Sequence, residues 1–170
     1  EGVAGSVTFI NLEGTRPILI EIQALVDKSM LPNPKRLTVG TDAQRLTMLL
    51  AILHRHVTLS TYDQDVFLNA VGGIKISETA SDLAVLIAIV SSMTNQAVSS
   101  KTAIFGEVGL GGEIRPVSRG QERIKEASKL GFTRIIVPLK NKAADIPDVE
   151  IIGVDNLRDA VKVVFGSNRV

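Results

Sequence analysis

The sequence GEVGLGGEIRPV at positions 106–117 decides the fold. Together with the residues before it, this sequence predicts two short strands, Thr102–Val108 and Glu113–Val117, joined by a glycine-rich turn. An amphipathic helix from Arg119 to Leu130 follows, and Gly131 stands directly after it as a residue that ends helices. Before the strands, residues 78–93 form a helix that is apolar on nearly every face, which predicts burial on all sides.

Strands dominate the beginning of the chain and then alternate with helices. The further predicted elements are two hairpin strands (Gly5–Leu12 and Pro17–Val26), a basic loop (31–36), a helix with Asp42 as N-cap that runs to Val57, a strand (Val66–Val71), two late strands (Arg134–Pro138 and Glu150–Val154) and a closing helix (Asp155–Phe165). This order is typical of an α/β domain with helices packed on a mixed sheet. Because there is no internal repeat and no linker, we expect a single domain over residues 1–170.

The composition excludes several classes of function. A chain of 170 residues with 45% hydrophobic residues can bury one sizeable core. The net charge of +1 gives no general affinity for polyanions, so any nucleic-acid contact must come from a local patch. The absence of cysteine excludes disulfides, thiolate zinc sites and cysteine nucleophiles. The longest apolar run, Leu83–Val90, is far shorter than the roughly 20 residues that span a bilayer, so we expect a cytoplasmic protein without a membrane partner.

Neither a metal site nor a phosphate-binding loop is predicted. His54 and His56 are two positions apart, so they point to different faces of a helix, and no carboxylate completes a ligand set. We expect both histidines at the surface. The glycines at 109–112 run into a strand rather than a helix N-terminus, and no Gly-Lys-Ser/Thr sequence follows them. A turn is therefore the better interpretation of these glycines.

Basic residues are the remaining candidates for binding, and they fall into two regions. The first holds Lys35, Arg36 and Arg45, and the second holds Arg115, Arg119, Arg123 and Lys125. Arg119 and Arg123 are spaced i, i+4, which places them on one face of the predicted helix. Two interpretations remain open: a solvated charged surface, or guanidinium groups that contact phosphates when copies of the domain assemble.

The order of helix, glycine-rich strand pair and helix resembles the proteolytic domain of Lon-type proteases, which has the ribosomal protein S5 domain 2-like fold. In that family the first helix carries a nucleophilic serine, and the helix after the Pro-Val step carries its lysine partner. The resemblance places Ala80 and Arg123 at these positions. Ala80 has no hydroxyl group, and arginine stays protonated at physiological pH. The resemblance therefore implies a degenerate serine–lysine dyad and no catalytic residue.

A residual peptidase is the less favoured alternative. It would use Ser81 and Lys125, which are displaced by one and two positions from the dyad. One residue along a helix rotates a side chain by about 100°, so Ser81 is expected to face elsewhere. Asp82 also puts a carboxylate where the resemblance implies an oxyanion pocket. Ser81 and Asp82 are more simply explained as polar residues at the start of the helix.

Sequence motifs spread over most of the chain are similar to the C-terminal domain of the bacterial RadA (Sms) family of DNA-repair and recombination proteins. They are EGTRPILIEIQALV (13–26), NPKR (33–36), VGGIK (71–75), DLAV (82–85), GEVGL (106–110) and KEASKLGF (125–132). The resemblance implies that the chain is a C-terminal fragment of a longer RecA-type ATPase. It implies that ATP, magnesium and zinc belong to other parts of that protein, and that this fragment has no cofactor.

The same resemblance implies a function and partners. The full-length protein would be a homohexameric, DNA-dependent ATPase that drives branch migration, with single-stranded or branched DNA bound without sequence preference. A RecA-type recombinase is a further partner that the resemblance suggests. This chain would be a non-enzymatic scaffold that contacts the DNA backbone, with the candidates Lys35, Arg36, Arg45, Arg115, Arg119 and Arg123. The alternative is a purely oligomerising domain without DNA contact.

Overall fold

The protein is represented by a computed structural model that describes residues 2–167. Its strands are β1 (Ser6–Glu13), β2 (Arg16–Lys28), β3 (Arg36–Val39), β4 (Gln64–Ala70), β5 (Thr102–Ile104), β6 (Glu107–Val108), β7 (Ile114–Arg115), β8 (Arg134–Pro138) and β9 (Glu150–Val154). Its α-helices are α1 (Ala43–Val57), α2 (Asp82–Thr94), α3 (Gly120–Lys129) and α4 (Leu157–Phe165), and two short 3₁₀ turns lie at Thr79–Ser81 and Leu139–Asn141.

Seven strands form one mixed sheet in the order β3-β4-β2-β1-β5-β8-β9, and β6 and β7 form a separate two-stranded ribbon. β2 pairs antiparallel with β1 and β4, whereas the other four neighbouring pairs are parallel. Six strands therefore run in one direction and β2 runs against them. The predicted class, an α/β domain with helices packed on a mixed sheet, is confirmed.

Local signals in the sequence account for the elements that were predicted well. The turn after Glu13 joins β1 and β2 into the expected antiparallel hairpin. Asp42 caps α1, because its side chain accepts hydrogen bonds from the N–H groups of Gln44 at 2.8 Å and Arg45 at 3.3 Å. Gly131 follows α3 with φ +91°, a conformation that glycine adopts without strain.

Two predicted element boundaries, one of a strand and one of a loop, are wrong. Thr102–Val108 is not one strand, because the main chain of Gly106 leaves the sheet to bond with the residues around α2. Its N–H donates to Ala80 O at 2.8 Å, and its carbonyl accepts from Leu83 N–H at 3.0 Å. The basic loop is also shorter than predicted, since Arg36 already pairs with Val66 as the first residue of β3.

The buried core is built around α2, in which every residue from Asp82 to Ser91 is buried. This helix packs on β1 and β2 and also contacts α1 and α4, which explains why it is apolar all round. Each fully buried leucine or isoleucine contributes about 1.5–3 kcal/mol to stability. Within residues 2–167, none of the helices combines the length and the apolar character that crossing a membrane requires.

The direction of the strands positions the functional residues. The segments that follow β3, β4, β5 and β8 all leave the sheet at its carboxyl end. Those after β3, β4 and β5 lead into α1, α2 and the β6–β7 ribbon, and the one after β8 forms the 3₁₀ turn Leu139–Asn141. In open α/β sheets, ligands bind outside the carboxyl ends of the strands. Lys35 and Arg36 lie at the opposite end, where β3 begins.

Candidate functional site: two arginine–carboxylate pairs and three exposed cations

A cleft of about 430 Å³ opens at the carboxyl end of the sheet. It lies between the start of α1, the segment 75–79 and the start of α2, and its polar lining includes Arg45, Lys75, Glu78, Ser81 and Asp82. The floor of the cleft is apolar, with buried side chains from α1, α2 and β4. The cleft therefore brings charged groups from three separate segments to one place.

Arg45 and Asp82 form the first pair in this cleft. The Asp82 side chain is 1% exposed. It accepts hydrogen bonds from both Nε and Nη2 of Arg45, the former at 3.0 Å. Val108 completes the cluster, because its N–H donates to Asp82 Oδ2 at 3.0 Å and its carbonyl accepts from Arg45 Nη2 at 3.1 Å. The cluster ties α1 and α2 to the β6–β7 ribbon.

Burial has the largest effect on the pKa of the Asp82 carboxyl group. It raises the pKa of Asp82, while the hydrogen bonds from Arg45 and the Val108 N–H act in the opposite direction. On the other side, the hydrogen bond to Asp82 raises the pKa of Arg45. Asp82 thus depends on Arg45 for the ionised state that its buried position disfavours.

Arg123 and Glu78 form the second pair, in the interior. The Arg123 side chain is 0% exposed. Its Nη2 lies 2.7 Å from Glu78 Oε1, and its Nη1 lies 3.0 Å from Glu78 Oε2. Nη1 also donates to Ile10 O at 2.8 Å, and Nε donates to Ser118 O at 3.0 Å. The guanidinium carbon lies 5.7 Å from the ring centroid of Phe105, within the range of a cation–π contact.

Glu78 extends this network into the sheet. Its Oε2 also accepts a hydrogen bond from Leu12 N–H at 2.6 Å. Together with Arg123, this carboxylate joins α3, β1 and the segment before α2. A charge removed from water is costly unless it is paired and hydrogen-bonded, and both conditions are met here.

Ala80 lies between the carboxylates of the two pairs in sequence, and it is buried. Its carbonyl accepts a hydrogen bond from the N–H of Gly106. The preceding residue, Phe105, contacts the Arg123 guanidinium through its ring. Ala80 and Arg123 are therefore linked through the consecutive residues Phe105 and Gly106. The neighbouring Ser81 is engaged elsewhere, since its hydroxyl donates to Glu78 O at 3.0 Å.

The structure separates Arg119 from Arg123, so the predicted shared helix face is wrong. Arg119 precedes α3 as its N-cap in the left-handed conformation, with φ 56° and ψ 39°. The Arg123 N–H still donates to the Arg119 carbonyl at 3.1 Å, but the left-handed backbone of Arg119 means that the two side chains do not share a helix face. The Arg119 side chain is 47% exposed and lies 3.6 Å from Glu122, whereas Arg123 points into the core.

The remaining candidates differ in how free their charged groups are. Lys35 and Arg115 are exposed, and Arg115 faces Glu107 across the β6–β7 ribbon. Arg36 is half-buried, and its guanidinium donates to the carbonyls of Thr61, at 2.8 Å, and of Gln64. Lys35, Arg115 and Arg119 therefore present cations to solvent, while Arg36, Arg45 and Arg123 are bound within the domain.

The glycine-rich turn is fixed by a histidine that was expected at the surface. His56 is half-buried, and its Nε2 lies 2.9 Å from Leu110 O. A Cβ atom on Gly112 would lie 2.9 Å from His56 Cγ, so this position of the turn has no room for a side chain. Among residues 2–167 there is no group of three His, Asp or Glu side chains that could hold a metal ion.

Sequence reasoning missed the two carboxylate partners, Glu78 and Asp82. A signal was available, because both acids stand at the start of a helix that is otherwise apolar. Acidic residues are almost never fully buried without a partner. A buried carboxylate at either position therefore requires a cation from elsewhere in the chain, although the sequence does not say which one.

Comparisons with known proteins identify the family of the chain. Residues 48–141 match the protein family described as subunit ChlI of Mg-chelatase. The chain is 55% identical over 166 residues to the DNA repair protein RadA of Pseudomonas aeruginosa, which covers 97% of this chain and 37% of that protein. It is 54% identical over 164 residues to RadA of Escherichia coli, covering 96% of the chain and 36% of the relative. For RadA of Bacillus subtilis the identity is 43% over 167 residues, covering 97% and 36%.

These relatives are much longer than the region they share with this chain, which spans 36–37% of their length. The matched region nevertheless includes nearly all of the present sequence, with the two arginine–carboxylate pairs inside it. The chain therefore belongs to the RadA family of DNA repair proteins and, through residues 48–141, to the family described as subunit ChlI of Mg-chelatase.

Proposed function

We propose that this chain is a non-proteolytic, Lon-like scaffold domain of a RadA-type DNA repair protein, and that it contacts the DNA backbone. One observation carries the proposal. At the position that the Lon-type resemblance assigns to the catalytic lysine, Arg123 is fully buried and bonded to Glu78, Ile10 and Ser118. Such a guanidinium holds segments together and has no means of accepting a proton.

The same geometry argues against recovery of peptidase activity by simple substitutions. A lysine at 123 would stand beside Glu78, and an opposite charge at that distance favours the protonated amine. A general base must be neutral to accept a proton. Asp82, held by Arg45 and the Val108 N–H, would also keep a carboxylate near the place where an oxyanion needs donors.

We therefore expect no peptide release by the chain or by the double variant Ala80→Ser with Arg123→Lys. The measurement is release of fluorescent peptides from an unfolded, labelled protein, with an active Lon-type protease as the positive control. Cleavage that disappears when the serine at 80, or Ser81, is replaced by alanine would contradict the non-proteolytic assignment.

The wider assembly is part of the same proposal. We propose that residues 1–170 act as one domain of a longer cytoplasmic protein, whose other parts include a RecA-type ATPase that binds ATP and Mg²⁺ and a zinc finger. Copies would form a homohexameric ring that drives branch migration of recombination intermediates, with a RecA-type recombinase as a partner. The RadA relatives, named as DNA repair proteins and nearly three times as long as the matched region, support this proposal.

A ring explains how a domain with a net charge of only +1 can contribute to DNA binding. Each exposed cation is repeated around the axis, so a few phosphate contacts per subunit add up. Among the six predicted contacts, those with exposed charges are Lys35, Arg115 and Arg119. The other three predicted contacts are Arg36, Arg45 and Arg123. Their guanidinium groups already bind partners inside the domain, so we do not expect them to bind phosphates.

We expect the triple variant Lys35→Ala, Arg115→Ala and Arg119→Ala to bind DNA more weakly in the full-length protein. For every phosphate that is no longer neutralised, the slope of log affinity against log salt should decrease by about 0.7 for a single strand. The measurement is fluorescence anisotropy of a labelled single-stranded oligonucleotide at several salt concentrations.

A matched control removes three exposed charges elsewhere, through Lys101→Ala, Lys129→Ala and Lys162→Ala. It should leave affinity and slope near those of the unmodified protein. If the first triple variant matched the unmodified protein in both quantities, the purely oligomerising alternative would replace DNA contact by this domain.

A further inference from the structure

The turn Leu139–Asn141, which follows β8, is bonded to the segment that leads into α3. The Asn141 side chain accepts from Val117 N–H at 2.8 Å and donates to Val117 O at 3.1 Å. The Asn141 carbonyl accepts from Gln121 Nε2 at 2.6 Å. Three hydrogen bonds thus fix this turn against the start of α3.

The two segments touch closely enough to exclude a side chain. A Cβ atom on Gly120 would lie 2.6 Å from Asn141 Nδ2. Because consecutive Cα atoms are about 3.8 Å apart, Arg119 on one segment and Lys140 and Lys142 on the other each stand one residue from this contact. All three side chains are exposed.

Arg119 occupies a left-handed backbone conformation, with φ 56°, which is strained for an L-residue and costs glycine almost nothing. Among residues 2–167 its only ion pair is the 3.6 Å contact with Glu122, in which both side chains are about half exposed. Exposed pairs of this kind contribute little to stability. A strained position therefore carries a guanidinium that the fold itself hardly uses, which is typical of a functional residue.

We propose that Arg119, Lys140 and Lys142 together bind the sugar-phosphate backbone of DNA. The inference rests on the proposed function and adds Lys140 and Lys142 to it. Each of the three cations belongs to a residue next to the Gly120–Asn141 contact, at the carboxyl end of the sheet, which is also the end of Arg115 and the cleft. A flexible lysine acts as a point charge toward a phosphate, so the site recognises the backbone and carries no sequence preference.

The test is the double variant Lys140→Ala with Lys142→Ala in the full-length protein, measured by anisotropy with the same oligonucleotide. Removing two phosphate-binding cations should weaken binding on the order of tenfold at 0.1 M salt and reduce the salt slope by about 1.4. The thermal midpoint should not change, because both side chains are exposed. Lys101→Ala with Lys129→Ala removes the same charge from other exposed positions and serves as the control.

Each outcome separates this site from the wider proposal. If the Lys140/Lys142 variant binds normally while the Lys35/Arg115/Arg119 variant is weakened, the site is wrong and DNA contact by the domain stands. If neither variant is weakened, both fail. A decrease in affinity no greater than that of the Lys101/Lys129 control would also overturn the site, since it would reflect net charge alone.

Discussion

Replacing Arg123 with alanine is expected to lower the free energy of unfolding of this chain by about 3–5 kcal/mol. The Glu78 side chain, 25% exposed, would lose both of its bonds to the guanidinium. The carbonyls of Ile10 and Ser118 would lose a charged donor. Removing one partner of a buried ion pair is costly because the other charge stays behind without compensation. Urea denaturation followed by circular dichroism measures the decrease in stability.

Arg119→Ala is the matched control, because it removes the same side chain four positions earlier, at an exposed site. It should change stability by less than about 0.5 kcal/mol. A double-mutant cycle with Glu78→Ala isolates the pair and should give a coupling energy of about 1–3 kcal/mol. If Arg123→Ala cost no more than Arg119→Ala, Arg123 would not be the structural link described here.

Replacing Arg45 with alanine is expected to have the second largest effect, about 3 kcal/mol or more near neutral pH. It leaves Asp82, which is almost completely buried, without the cation that favours its ionised form. Burial already raises the pKa of Asp82, and Arg45 and the Val108 N–H are the groups that lower it. Without Arg45, only the Val108 N–H still opposes the effect of burial. The folded protein then binds a proton at Asp82 more readily than the unfolded chain does.

The sign of the pH dependence follows from this difference. A raised pKa in the folded state means that stability from this group is present at low pH and is lost as the pH rises through that folded value. The destabilisation caused by Arg45→Ala should therefore shrink as the pH is lowered from about 7 toward the ordinary aspartate range near 4. Unfolding curves at several pH values measure this. Adding Asp82→Asn should remove the trend, and a trend that persists in the double variant would assign it to another group.

The fold was largely predictable because its signals are local. The Asp42 cap and the hairpin turn after Glu13 depend on neighbouring residues and were found where the sequence predicted them. The apolar helix α2 was also found, although it begins at Asp82 because residues Thr79–Ser81 form a 3₁₀ turn. The prediction was wrong at Gly106, where the strand ends because its main chain bonds with Ala80 and Leu83. Those two partners lie far along the chain, so no local pattern reveals them.

The site was less predictable for the same physical reason. Glu78 and Arg123 are 45 positions apart, and Arg45 and Asp82 are 37 apart. Which cation meets which buried carboxylate depends on the sheet order, which sequence periodicity does not specify. Arg119 shows a further limit: helical spacing placed it beside Arg123, but its left-handed backbone puts it outside the helix.

The central claim is that the domain uses its arginines in two separate ways, with Arg123 holding the core and the exposed cations meeting DNA. The most direct test is the DNA affinity of full-length Arg123→Ala beside that of Lys35→Ala, Arg115→Ala, Arg119→Ala, at a temperature where circular dichroism shows both to be folded. We predict that the Arg123 variant binds DNA like the unmodified protein while melting at a lower temperature, and that the triple variant melts normally and binds weakly. An Arg123 variant that is folded but has reduced affinity and salt slope, beside a triple variant that binds normally, would contradict the account.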